Sequence, residues 1–444
     1  MAEVKWKRIV ALIFCIGVSY LILSGSRIHS NGDKPEIDFG SIYFGAQYVI
    51  RHEDPYDPET QLSQFGAEGE RLMEKGHSVT AMQVNLPTTL LVISPLARLP
   101  WPVAQKLWSV TMATVLLVAA YLIWDIAGSY SAIAGWILCF MLLNCEVLFL
   151  LGNIAGFSVC ICVISTWCFL KERFAIAGVL LLAVSLALKP HDAGLVWLYF
   201  LLVGGHQRMR ALQALAITGI LASLAVIWIT PVSPHWVHEL HKNLEIASLS
   251  GGTSDPSPAG ITTRTFGSII DLQNSIAIFR STPQFYNTAS YLIAGFPILV
   301  WILALVRRRL TPKAALLALA AISVLTMLPV YHRPYDAKLL MLTVPACAML
   351  WSEKGRFRRT ALILSCAAIF VTSDLPLLIW EAVTRAIPVS PATWTGKFIL
   401  LILQPAPVVL LATGCFYLWV YLRHGTPIRG TQNEDAISLT AAGS

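Results

Sequence analysis

The sequence predicts an all-α, polytopic transmembrane helical bundle of about twelve spans. Three observations predict it. The 444 residues are 56 % hydrophobic and only 13 % charged, with a mean hydropathy of +0.65, where a soluble domain carries about 25 % charged residues. Apolar runs of about 17 residues or more, long enough to cross a bilayer, recur from end to end. Lys and Arg collect in alternate connections between those runs. This composition excludes a soluble globular protein, a disordered chain and a disulfide scaffold. The net charge of +7 is dispersed in short clusters, so nucleic acid is not an expected partner.

The candidate spans are 9–24, 103–124, 131–151, 154–170, 174–189, 192–204, 211–230, 289–306, 313–330, 337–351, 359–375 and 398–420. The first, preceded by Lys5, Lys7 and Arg8, has the layout of a signal peptide but no clear cleavage site, and is read as an uncleaved span. The stretch 87–99 is short and holds two prolines, which predicts a re-entrant or interfacial helix. All nine cysteines lie inside apolar runs and read as small packing residues. One set of connections, with both termini, carries seventeen Lys and Arg against six Asp and Glu, so this side is expected to be cytoplasmic in a plasma-membrane protein. The outer side then holds the long connections 25–102, 231–288 and 376–397, where function is expected. Residues 1–424 are read as one transmembrane domain, and 425–444 as a disordered cytoplasmic tail.

The residues able to carry chemistry gather on that outer side. Asp38 stands just beyond the first span, at the start of a helix-forming segment. It can serve as a helix N-cap, as a general base at the membrane surface, or as both. Asp54 and Asp57 flank Pro-Tyr in a DxxD pattern, either a metal pair or, more often, a turn. Asn153 lies in the turn LGNIAGF, and Glu146 lies inside an apolar run, where a carboxylate is expected to point into the bundle. LALKPHDAG brings Lys189, His191 and Asp192 together at the end of two short spans. There a lysine either snorkels to headgroups or binds a lipid phosphate. YHRPYDAK brings His332, Arg333, Tyr335, Asp336 and Lys338 together. A basic cluster on the outer side runs against the charge bias and favours a bound anion. Arg264, in a Gly-, Ser-, Pro- and Thr-rich stretch, is placed to close over the same anion. His235, His238 and His241 share a helix face, which suits zinc less well than an interfacial amphipathic helix.

At DFGSIYFGAQYVIRHEDPYD (38–57), NLPTTLLVISPLARLP (85–100), LGNIAGF (151–157), AGVLLLAVSLALKPHDAGLVWLYFLL (177–202) and YHRPYDAKLLMLTVPACAML (331–350) the sequence resembles glycosyltransferase family 87, polyprenyl-phosphate-sugar-dependent mannosyltransferases of the GT-C type. The pieces run in the family's order. Two depart from it: Leu86-Pro87 stands where the family has two prolines, and the stretch before Arg264 is altered. The resemblance implies transfer of one hexose, commonly mannose, from a polyprenyl-phosphate donor to a hydroxyl of a lipid or glycan acceptor on the outer face, with inversion. It matches the family's Asp to Asp38 and its His to His332. On this reading Asp38 is the base, and His332, Lys189, Arg333 and Arg264 hold the donor phosphate. Tyr43, Tyr335, Asn153 and Asp57 line the sugar and acceptor pocket. Neither a metal nor another cofactor is expected, because the protein's own cations can play the electrophilic part. The competing expectation is a polytopic lipid or solute transporter. That would call for inverted repeats and paired mid-membrane charges, and the sequence shows no repeat.

Overall fold

The structure is a computed structural model in which residues 37–57, 82–260, 269–309, 311–353, 355–374, 376, 390–424 and 426–427 are described. Helices dominate, because apolar chain in lipid must satisfy its own backbone hydrogen bonds. The expected span 9–24, most of the tail after 424 and Arg264 lie outside the described residues. Among the described residues the strands are one two-residue ladder, with Arg308 opposite Pro427 and Arg309 opposite Thr426.

In chain order the helices are α1 (Ile37–Ile50), α2 (Pro87–Ala97), α3 (Trp101–Leu142), α4 (Glu146–Leu151), α5 (Ile154–Leu170), α6 (Ala175–Leu188), α7 (Pro190–Val203) and α8 (Gly205–Ile229). There follow α9 (Trp236–Ser248), α10 (Leu272–Ala277), α11 (Pro283–Arg307), α12 (Pro312–Leu325), a 3₁₀ turn (Asp336–Leu342), α13 (Thr343–Ser352), α14 (Arg358–Val371), α15 (Trp394–Leu403) and α16 (Ala406–His424). Four of these, α3, α8, α11 and α16, are long and apolar enough to cross a membrane, and several shorter apolar helices accompany them. The expected span count is therefore not reproduced helix for helix.

The differences have physical causes. Spans 103–124 and 131–151 merge into α3, whose backbone breaks at Ser131 (φ −151°, ψ 101°). The two halves fold back on each other there. Trp124 Nε1 donates to the Ala132 carbonyl at 3.3 Å, Cys139 Sγ reaches the Ala120 carbonyl at 3.5 Å, and a Cβ on Gly135 would stand 2.8 Å from Ala127 Cβ. Gln404-Pro405 divides the span expected at 398–420 into α15 and α16, since proline cannot donate to the helix ladder. The span expected at 337–351 opens with the 3₁₀ turn. Glu146 does not point into the bundle: it is exposed in the first turn of α4, beside Val147, whose N–H donates to Asp374 Oδ2 at 3.0 Å.

The core sits around α12, which is buried on nearly every side and packs against α13 and α16. The hairpin α3 packs against α5 and α13, and α5 packs against α6. The helices α8 and α11 instead leave Ile220, Ile227, Leu292 and Phe296 well exposed, as helices facing lipid do. Polar contacts sort the connections into two ends. At one end Lys171 pairs with Asp125 (3.1 Å) and Lys313 with Glu353 (2.7 Å). At the other, the start of α5, the α6–α7 junction and the segment 330–338 converge.

The α6–α7 junction breaks at Lys189 (φ −145°, ψ 85°) because Pro190 opens the next helix. The break exposes carbonyls at the end of α6. The short helix α2 lies against it and satisfies them: Thr88 Oγ1 donates to Ala187 O at 2.5 Å and Thr89 Oγ1 to Leu188 O at 3.2 Å. Close helix approach also depends on Gly178, where a Cβ would stand 2.7 Å from Phe169 Cε1 and 2.9 Å from Cys168 Cβ. Gly178→Val should therefore cost about 1–3 kcal/mol by overpacking and lower the thermal midpoint in detergent by several degrees. Gly295→Val, where nothing lies within 4 Å, should leave the midpoint unchanged.

Candidate active site

The sequence places Asp38 in the first turn of α1, where the helix dipole favours a carboxylate. It is half-buried, and its Oδ2 accepts from Asn153 Nδ2 at 2.7 Å. Asn153 is the N-cap of α5, with Oδ1 accepting from Ala155 N at 2.8 Å. The preceding Gly152 supplies the left-handed turn (φ 63°) that ends α4 and sets this asparagine between the two helices. One side chain thus caps α5 with its oxygen and orients the Asp38 carboxylate with its nitrogen. Burial pushes the Asp38 pKa up, while Arg333, the Asn153 hydrogen bond and Lys189 pull it down; the net direction is upward.

Opposite Asp38 stands the segment 330–338. Asp336 opens its 3₁₀ turn and holds a backbone N–H and a cation at once. Its Oδ2 accepts from the Arg333 backbone N–H at 2.6 Å, and its Oδ1 pairs with Lys189 Nζ at 3.3 Å. Lys189 Nζ also lies 5.7 Å from the centre of the Tyr335 ring. Burial works against the Lys189 ammonium, but Asp336 and Asp192 outweigh it and its pKa is raised. The Arg333 guanidinium is held by the Tyr331 hydroxyl through Nε, and by the Thr253 carbonyl through Nη2 at 2.9 Å. Both cations act electrostatically on Asp38.

His332 is fully buried behind this face. Its Nδ1 lies 2.7 Å from the Val330 carbonyl, its Nε2 lies 3.0 Å from Asp192 Oδ1, and its backbone N–H donates to Asp271 Oδ2 at 3.2 Å. The segment around Asp271 runs beside it through Ile270 N to His332 O (3.0 Å) and Leu272 N to Leu328 O (3.0 Å). Asp271 Oδ1 caps α10 by accepting from Asn274 N at 3.2 Å.

The residues named from sequence therefore separate. Asp38, Asn153, Lys189, Arg333 and Tyr335 share one site, and His332 supports it from within. Tyr43 is placed otherwise. Its hydroxyl donates to Leu99 O at 2.5 Å, and its ring packs with Phe39, Phe44 and Trp101, so its contacts join α1 to the α2–α3 corner. Asp57 is half-buried at the end of a turn in which Asp54 accepts from Tyr56 N (2.8 Å) and Asn243 Nδ2 donates to Tyr56 O (3.0 Å). The three histidines of α9 are exposed, while Leu240, Asn243 and Ala247 bury the opposite face, as an amphipathic helix requires. Sequence reasoning passed over three carboxylates. Asp192 and Asp336 stood inside recognised clusters without a role, and Asp271 lay in a stretch with no distinguishing pattern.

The family model of glycosyltransferase family 87 matches residues 85–331, more than half of the chain. The match includes Asn153 and Lys189, and Asp38 and His332 flank it. No curated relative and no solved structure matches the chain. The chain belongs to glycosyltransferase family 87 and is a membrane glycosyltransferase.

Burial lifts the Asp271 pKa to about 7, against the pull of His332 and of the N–H groups it accepts from. The native state therefore binds this proton more tightly than the unfolded chain, whose Asp titrates near 3.9, and stability falls as pH rises from about 4 towards 7. Asp271→Asn cannot titrate and should remove that loss, but its amide nitrogen replaces one of the two oxygens that accept from His332 N and Asn274 N. Its midpoint relative to the parent should therefore be lowest near pH 5 and rise toward pH 8. A midpoint difference independent of pH would contradict this assignment.

Proposed function

We propose that the protein transfers a hexose, mannose being the sugar the family resemblance implies, from a polyprenyl phosphate to an acceptor hydroxyl, with inversion, at the outer face of the plasma membrane. In this GT-C-type reading both termini are cytoplasmic. The observation that supports the proposal is that Asp38 lies near enough to Lys189 and Arg333, at one end of the bundle, for both cations to act electrostatically on its carboxylate. The donor is a phosphodiester with one negative charge, its chain in lipid and its phosphate at the interface. The acceptor oxygen attacks the anomeric carbon from the side away from phosphate. The bond from that carbon to the phosphate oxygen breaks, and its electron pair leaves with the phosphate. Asp38 takes the acceptor proton as the new bond forms. The leaving phosphate gains a second charge in this step. Lys189 and Arg333 therefore bind the transition state and product better than the donor, which is what lowers a barrier. Asn153 orients the base, and Tyr335 lies beside Lys189 on the sugar side of the pocket.

Reconstituted in proteoliposomes with a polyprenyl-phosphate hexose, Asp38→Asn should lower kcat by about 100-fold or more. Turnover close to that of the parent would refute the base. Lys189→Met should lower kcat and also raise the donor KM, because the same cation meets both ground and transition states. The acid limb of kcat/KM reports the free base. It should lie above the ordinary carboxylate range near 4, since activity is lost as pH falls through the raised Asp38 pKa. Arg333 pulls that pKa down, so Arg333→Ala should move the limb to still higher pH. A limb that stays in place would separate Arg333 from Asp38.

A further inference from the structure

Behind the reactive face, the first turn of α7 and the turn that precedes Arg333 leave a set of buried polar atoms unmatched. Asp192 Oδ1 and Oδ2 and His332 Nε2 are all buried without a hydrogen-bond partner, on residues 1 % and 0 % exposed. A buried polar atom left unmatched is costly, so something is expected to fill the gap. His332 Nε2 and Asp192 Oδ1 approach to 3.0 Å, close enough for a hydrogen bond when Nε2 carries a proton but poorly aligned for one, and Asp192 Oδ2 has no partner at all. His191 Nε2 lies 3.7 Å from the same oxygen. The three ligand atoms all fall within 4.8 Å of one another. Two lone pairs that converge without pointing at each other are what a shared third atom requires.

We propose that His191, Asp192 and His332 form a site for one divalent transition-metal ion of the zinc class. Bonds of about 2.0–2.2 Å to atoms 3.0 and 3.7 Å apart correspond to angles of roughly 90–135° at the ion, within reach of tetrahedral coordination. The tautomer is suited to it. The Val330 carbonyl can only accept, so Nδ1 of His332 carries the proton and the neutral ring presents its lone pair at Nε2. His191 keeps 39 % of its side chain exposed, which leaves a route for the ion and an open fourth position. The ion would clamp the α7 N-terminus, next to Lys189, to the turn that carries Arg333. The charged groups facing it are Lys189, Asp271 and Asp336, one cation and two acids. They neither forbid a cation nor complete its coordination. The competing occupant of the gap is a proton, which would turn His332 and Asp192 into a metal-free ion pair. The inference does not rest on the glycosyl-transfer reading, and it revises the expectation that protein cations alone serve this end of the molecule.

The full chain should be purified in detergent through a tag without histidines, stripped with chelator, dialysed and titrated with Co²⁺ and Zn²⁺. About one Co²⁺ per chain should bind with the intense visible bands of a four-coordinate ion, and Zn²⁺ should displace it. His191→Ala and Asp192→Asn should each weaken binding by more than tenfold. A triple variant of the exposed α9 histidines, His235→Ala, His238→Ala and His241→Ala, should bind as the parent does. His191 keeps 39 % of its side chain exposed, so its variant stays informative if Asp192→Asn does not fold. Absence of four-coordinate bands, or bands that persist unchanged in His191→Ala, overturns the proposal in favour of the ion pair. Loss of transfer activity with metal binding intact would instead fault the functional reading above.

Discussion

The candidate site depends on one carboxylate that touches no substrate. Asp336 ties the Arg333 backbone with one oxygen and the Lys189 ammonium with the other. These cations come from parts of the chain 144 residues apart in sequence. Buried charge without a partner costs several kcal/mol, so the Lys189 ammonium depends on Asp336 for its place, while the Arg333 guanidinium is held by Tyr331 and the Thr253 carbonyl. The proposed reaction brings a negative phosphate here, and Asp336 anchors Lys189 from the 3₁₀ turn while Asp38 stands on another element.

The support is layered in the same sense. Asn153 belongs to the helix cap of α5 and to the Asp38 carboxylate together, so folding the helix also aims the base. Asp271 belongs to the cap of α10 and to the His332 backbone. Helix ends in this molecule are therefore the places where the site is fixed. That suits a membrane enzyme: helix interiors face lipid or one another, and the capping groups are the polar atoms free to reach across.

Much of this was legible in the sequence. Apolar run lengths gave the helical class, and the interrupted run at 87–99 gave α2 as a short helix. Asp38, Lys189 and Arg333 stood out because charge at the end of an apolar run is costly without a purpose. Pairing was not legible. Nothing in YHRPYDAK says that its Asp reaches a lysine in LALKPHDAG, because such contacts arise from helix packing, not from spacing along the chain. Tyr43 shows the same limit. An aromatic close in sequence to a catalytic candidate reads as a pocket residue, yet here the hydroxyl closes a corner at Leu99. The hairpin in α3 and the division at Gln404-Pro405 changed the span boundaries for local backbone reasons that hydropathy does not register.

The threonines of α2 carry a last consequence. A helix interrupted inside an apolar layer leaves carbonyls that neither lipid nor absent water can satisfy, and Thr88 and Thr89 supply the missing donors at the Lys189 break. The short helix is thus more than a filler between α1 and α3. It is the splint of the fracture beside Lys189, so the ammonium's position is written partly in two hydroxyls about a hundred residues away in sequence.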